Sequence, residues 1–157
     1  MDLQVVTCYT DGSCLGNPGV GGFAASVKTD EIYKIIKGYS HSDAETNNSM
    51  ELKAVMHVVE FCVRAVKKPA RIIINTDSQY VCSCWNHDKH WLMTKDRPNR
   101  EIWIQIIKNL EKSGHKIEFV KIPAHSGIEL NERVDRLARE QAVTARHILF
   151  GGKNGRR

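Results

Sequence analysis

Four carboxylates, Asp11, Glu51, Asp77 and Asp135, stand where acids can do chemistry. Asp11 follows a run of strand-forming residues, 4–10, and Asp77 follows another, 71–76. Open α/β sheets build ligand sites at the carboxyl ends of their strands. Two carboxylates brought together there repel unless a cation or a proton lies between them. Neighbouring strands carrying Asp11 and Asp77 would therefore point to a metal. Oxygen-only ligands favour hard cations such as Mg²⁺ or Mn²⁺. Each acid also has an ordinary explanation. Asp11 before Gly12 suits a turn, and Asp77 suits the N-cap of a following helix. Glu51, three residues after Asn48, resembles the far end of a capping box. Asp135, four residues before Arg139, suits a helix-surface ion pair. A second cluster, Cys82, Cys84, His87 and His90, has the ligand types of a zinc site but not the usual finger spacing. Its plainer reading is a helix end with a polar face.

The elements that would position these groups follow from patterning. Residues 4–10, 21–28 and 33–39 read as strands with short links, an antiparallel meander. Asp11-Gly12-Ser13 and Gly16-Asn17-Pro18-Gly19 read as turn chemistry. Residues 49–66 carry Leu52, Val55, Met56, Val59, Cys62, Val63 and Val66 at helical steps. Lys67-Lys68-Pro69 ends that helix. The apolar run 71–76 predicts a buried parallel strand. A short helix over 78–85 and a polar connection over 86–99 follow, then a helix over 100–112 stopped by Gly114. A strand over 116–122, a loop over 123–131 and a helix over 132–145 complete the order. Hairpin strands followed by βα units imply an α/β fold, a mixed sheet with helices on its faces.

The chain has 157 residues, enough for one domain, which we place at 1–146, with 147–157 as a basic, disordered tail. No apolar run approaches the roughly 20 residues of a membrane span. The first residues lack the pattern of a secretory signal. Five irregularly spaced cysteines argue against a disulfide framework and for a reducing, cytoplasmic setting. The net charge of +5 suits an anionic partner.

Four blocks make the acids more specific: Tyr9-Thr10-Asp11-Gly12-Ser13-Cys14-Leu15-Gly16-Asn17-Pro18-Gly19, Thr46-Asn47-Asn48-Ser49-Met50-Glu51-Leu52, Asn75-Thr76-Asp77-Ser78-Gln79-Tyr80-Val81 and Asn131-Glu132-Arg133-Val134-Asp135-Arg136-Leu137-Ala138. In this order and at these separations they resemble type 1 ribonuclease H, over nearly the whole chain. The resemblance implies the ribonuclease H-like fold, a five-stranded mixed sheet of three antiparallel strands then two parallel ones, with helices on both faces. It implies hydrolysis of the RNA strand of RNA–DNA hybrids by a two-metal mechanism, leaving 5′-phosphate and 3′-hydroxyl ends. Asp11, Glu51, Asp77 and Asp135 match the metal-binding acids, for two Mg²⁺ ions with Mn²⁺ as a substitute. His125 matches a loop histidine that assists proton transfer or product release. Cys14, Gly16, Asn17, Asn48 and Gln79 match positions near the RNA 2′-hydroxyls. Thr46 and Asn47, with Asn17, match a site for a DNA phosphate.

One segment departs from the family. Many bacterial members carry a long basic helical handle where this chain has the shorter interval 82–100, whose cations Lys89, Lys95, Arg97 and Arg100 are offset by Asp88 and Asp96. The handle is truncated, which predicts weaker binding of hybrids. Transposases, integrases and junction nucleases share the fold, but usually carry further DNA-binding domains for which this chain has no room. A non-catalytic hybrid-binding module would lack at least one acid, and none is missing. Excision from a reverse transcriptase is a further reading. Met1 and the domain length favour a free-standing protein, which we expect to be a monomer with no membrane association.

Overall fold

The computed structural model describes residues 3–151. Its elements in chain order are β1 (Gln4–Gly16), β2 (Gly19–Lys28), β3 (Tyr33–Tyr39), α1 (Asn47–Ala65), β4 (Ala70–Thr76), α2 (Gln79–Trp85), α3 (Lys89–Leu92), α4 (Arg100–Ser113), β5 (Lys116–Lys121) and α5 (Glu129–Phe150). They form a five-stranded mixed sheet in the order β3-β2-β1-β4-β5. β1 pairs antiparallel with β2, and β2 with β3. β4 runs parallel to both β1 and β5.

Alternation along the strands assigns the two faces. Val6, Cys8, Ile72 and Ile74 pack with Leu52, Val55 and Val59 of α1 and with Trp103 and Ile106 of α4. The opposite parity brings Tyr9 and Ala24 against Val134 and Ala138 of α5. That helix packs over β1, β2 and β3. β4 therefore alternates: Ile72 and Ile74 are buried while Ile73 is only half-buried. The continuous apolar run predicted burial on both sides, but α5 covers the other end of the sheet.

The glycines of the first 22 residues are not chiefly turn residues. β1 continues through Asp11, Gly12 and Ser13 to Gly16, paired with β2 throughout, and the chain reverses at Asn17-Pro18. Asp11 thus lies in a strand, and its turn reading is set aside. A Cβ on Gly12 would lie 2.3 Å from the backbone of Met50 and Glu51 in α1. A Cβ on Gly22 would lie 2.4 Å from the Ala142 nitrogen in α5. Glycine inside a strand marks a close backbone approach, and here each one admits a helix.

Helix boundaries shift for local reasons. α1 starts two residues earlier than the apolar pattern predicts because Thr46 and Ser49 cap it reciprocally. The Ser49 amide donates to Thr46 Oγ1 at 3.0 Å and the Thr46 amide donates to Ser49 Oγ at 2.9 Å. The capping box is therefore Thr46/Ser49, which leaves Asn48 and Glu51 free of that role. α3 is a single turn within the stretch read as a plain connection. Asp88 caps it and Leu92 anchors it in the core. Gly114, at φ +76°, ends α4 in the left-handed conformation as the sequence predicts. α5 begins at Glu129 and continues to Phe150, into the segment read as tail. The remainder of that segment, 152–157, lies outside the described residues.

The contact at Gly12 sets where Glu51 sits. Gly12→Ala is expected to cost about 3 kcal/mol, because neither backbone can yield without moving α1 off the sheet. Urea unfolding of the variant would check it, and an unchanged midpoint would contradict it.

Candidate active site

The parallel register of β1 and β4 ends with Tyr9 opposite Asn75. Asp11 lies two residues beyond Tyr9, and Asp77 two beyond Asn75. With a side-chain period of two, both acids come to one level and one face. Glu51 arrives from α1 across Gly12. One carboxylate oxygen from each of Asp11, Glu51 and Asp77 lies within 4.8 Å of the others. A second group adjoins the first. Asp135 and Glu132 of α5 and the loop residue His125 also bring one ligand atom each within 4.8 Å. His125 Nδ1 is 3.7 Å from Glu132 Oε1 and 4.0 Å from Asp135 Oδ2.

The electrostatics are those of a site built for a cation. Burial, the Asp77 charge and the Asp135 carboxyl push Asp11 up to about 8. Burial, then the charges of Asp11 and Asp77, raise Glu51 well above the usual carboxylate range. Asp77 is raised by burial and by Asp135, against the opposing effects of Lys121 and His125. Oε1 of Glu51 is buried with no hydrogen-bond partner. Thr10 Oγ1, Trp103 Nε1, Asn131 Oδ1 and Glu132 Oε1 also lack a hydrogen-bond partner, but the Glu51 carboxylate faces two other carboxylates, an arrangement that fits a divalent cation. The four acids can hold one, and their all-oxygen chemistry suits a hard ion.

The ordinary explanations fall away unevenly. Ser78 caps α2, its Oγ accepting from the Val81 amide at 3.1 Å, so Asp77 is not the cap. Asp11 Oδ1 does accept from the Gly12 amide at 2.9 Å. Asp135 does accept from Arg139 Nη2 at 3.2 Å, and that pair coexists with its place beside Asp11.

The residues matched to substrate contacts gather at the β1–β2 turn and the start of α1. The Cys14 amide donates to Asn47 Oδ1 at 3.1 Å, and the Asn47 amide donates to Asn17 Oδ1 at 3.1 Å. Gly16 has φ +87° in that turn, and Thr46 caps α1. Asn17, Asn47 and Asn48 are exposed. Gln79 stands apart at the start of α2, exposed and bonded to Ser83 Oγ at 2.6 Å. Two further groups at the site escaped the sequence reading. Glu132 was visible as the acid three residues before Asp135, on the same helical face. Lys121 closes β5 opposite Thr76, beside Asp77, a position that only the register reveals. The Cys82, Cys84, His87 and His90 set is not among the ligand groups that come together in the described residues. Cys84 is buried and Cys82 half-exposed, because residues two apart on a helix point in different directions.

Residues 3–143 match the RNase H family model. The chain belongs to the ribonuclease H family. It is 38% identical over 152 residues to the ribonuclease H of Nitrobacter hamburgensis, covering 92% of this chain and 95% of that one. It is 35% identical over 147 residues to the ribonuclease H of Caldanaerobacter subterraneus subsp. tengcongensis, covering 88% and 91%. Among solved structures it is similar to LC11-RNase H1 in complex with an RNA/DNA hybrid, with a TM-score of 0.71 at 22% identity, covering 89% of this chain and 98% of that one. The fold is thus that of a ribonuclease H, and the protein is a nuclease of that family. No helix among the described residues is long and apolar enough to cross a membrane.

The raised carboxylates predict how the metal-free ribonuclease H responds to pH. The folded-state value of Asp11 lies above its ordinary 3.8, so folding favours its protonated form. Stability contributed this way is present at low pH and is lost as pH rises through about 8. In chelator, the thermal midpoint should fall between pH 6 and pH 9, and Mg²⁺ should raise it more at pH 9. Asp77→Asn removes a facing charge and should raise the metal-free midpoint by roughly 2–4 °C at neutral pH. A lowered midpoint would contradict the repulsion.

Proposed function

We propose that this ribonuclease H hydrolyses the RNA strand of RNA–DNA hybrids, using two divalent cations held by Asp11, Glu51, Asp77 and Asp135. The observation that carries the reading is the convergence of the Asp11, Glu51 and Asp77 oxygens, with Asp135 at the side of Asp11. LC11-RNase H1, which shares the fold, was solved with such a hybrid. Cations held there would supply activation of the attacking water and charge neutralisation at the leaving 3′ oxygen, giving 5′-phosphate and 3′-hydroxyl ends. Mg²⁺ is the proposed ion, with Mn²⁺ as a substitute.

The side chains divide the work by position. Asp11 faces both acid groups and would be the ligand shared between the ions. Glu51 and Asp77 complete one set, and Asp135 completes the other. His125 stands on the loop before α5 at φ +53°, a conformation uncommon for a residue with a side chain. Its ring reaches toward Asp135 from the solvent side, where it can take up or deliver a proton as product leaves. Asn17, Thr46 and Asn47 present short polar groups to a DNA phosphate. Cys14, Gly16, Asn48 and Gln79 stand where backbone amides and polar side chains can read RNA 2′-hydroxyls. The five free cysteines fit a cytoplasmic setting, and we propose that the protein acts there as a monomer.

The shortened handle has cations already engaged by the protein. Lys89 Nζ lies 3.8 Å from the centroid of the Trp85 ring and donates to the carbonyls of Trp85 and His87. Arg97 lies 3.6 Å over Trp91, which also stacks on His87. Arg100 donates to the Met93 carbonyl and to Glu101. Few charges in this segment remain to meet phosphates.

Two outcomes test the reading. A labelled RNA–DNA duplex should be cut only when Mg²⁺ or Mn²⁺ is present, and Asp77→Asn should fold yet lose the activity. Equal rates on single-stranded RNA or duplex DNA would sink the hybrid specificity. Hybrid binding should also show a shallow dependence on salt. A slope as steep as about eight phosphate contacts produce would contradict the reading of the handle.

A further inference from the structure

The segment between β3 and α1 contains an acid that the proposed chemistry does not use. Glu45 immediately precedes the Thr46 cap, and its side chain is 12% exposed. Its carboxylate accepts from Lys53 Nζ at 2.6 Å, from Ser49 Oγ at 2.7 Å and from Ser40 Oγ. Its backbone exchanges two hydrogen bonds of 2.9 Å with Gly19, and its carbonyl also accepts from Cys14 Sγ at 3.1 Å. Burial pushes this carboxyl up, but the bonds from Lys53, Ser40 and Ser49 outweigh burial and hold it below the usual value. One residue thereby joins the end of β3, the β1–β2 turn and the first two turns of α1.

Capping alone does not call for this arrangement. Thr46 and Ser49 already satisfy the start of α1 between themselves. The added carboxylate instead fixes the helix start relative to the turn, through Ser49 on one side and Gly19 on the other. Those two pieces carry the exposed Asn17, Asn47 and Asn48 and the half-buried Thr46. Glu51, six residues further along α1, is held separately by the contact at Gly12.

We propose that Glu45, paired with Lys53, is a positioning residue for the hybrid: it locks the β1–β2 turn to the start of α1, so that Asn17, Thr46 and Asn47 meet the nucleic acid backbone in one geometry. This inference rests on the hybrid reading above. Because the locked groups bind and the metal acids are anchored elsewhere, loosening the lock acts on substrate binding and spares the chemical step.

The test compares wild type, Glu45→Gln and the double variant Glu45→Met with Lys53→Met, by steady-state cleavage of a hybrid in Mg²⁺ and by thermal unfolding. Both variants should raise KM about fivefold with kcat within about twofold of wild type. Replacing an ion pair by apolar groups of similar size is often neutral, so the double variant should keep a near-wild-type thermal midpoint while KM stays raised. An unchanged KM in either variant, with wild type active on hybrid, overturns the positioning role alone. A fall in kcat that tracks the thermal midpoint also overturns it, because the network would then serve only stability. A wild-type protein that leaves the hybrid uncut overturns the functional reading and this inference together.

Discussion

Mutual repulsion among buried carboxylates is the constraint on which this structure turns. Asp11, Glu51 and Asp77 share a space too small and too dry for three free charges, and Asp135 adds a fourth from the side. Without a cation, burial and the facing charges shift Asp11 and Glu51 toward their protonated forms. The stability surrendered there has to come from elsewhere, from the α1–α4 face of the sheet with its buried aliphatic residues and Trp103.

Bringing the acids together requires backbones to touch. Glu51 reaches the sheet because Gly12 has no side chain to hold α1 away, and α5 lies close because Gly22 has none either. Asp135 enters from α5, so the two helix-borne acids depend on two helix–strand contacts that any larger residue would open. The strand ends supply the level, and the glycines supply the approach.

The groups proposed to bind the hybrid are organised around a different point. The β1–β2 turn and the start of α1 are tied by Asn47, Asn17 and Cys14, with Glu45 and Lys53 behind them. The handle segment makes the opposite use of its charges, laying Lys89 and Arg97 on Trp85 and Trp91. In the proposed reading, recognition leans on short polar side chains and backbone amides near the acids, with less help from a distant basic surface.

Much of this was legible from the residues alone. The strand-forming runs and short links of β1 to β3, the three- and four-residue apolar spacing of α1, the Gly114 stop and the four acid-bearing blocks depend on local periodicity and residue type, which a sequence displays directly. What sequence could not display were distances between segments far apart in the chain. Asp11 looked like a turn residue because Gly12 follows it, and only packing revealed that this glycine admits α1. Ile73 looked buried because it is apolar, and only the placement of α5 left it half-covered. Lys121, Glu132 and Glu45 have ordinary sequence neighbours, and their roles arise from what the fold sets beside them. The sequence by itself determined the elements and the identity of the acids, since those follow from each residue's own chemistry and period. Tertiary structure alone decided that the acids crowd one another, because repulsion falls with distance in space and is indifferent to distance along the chain.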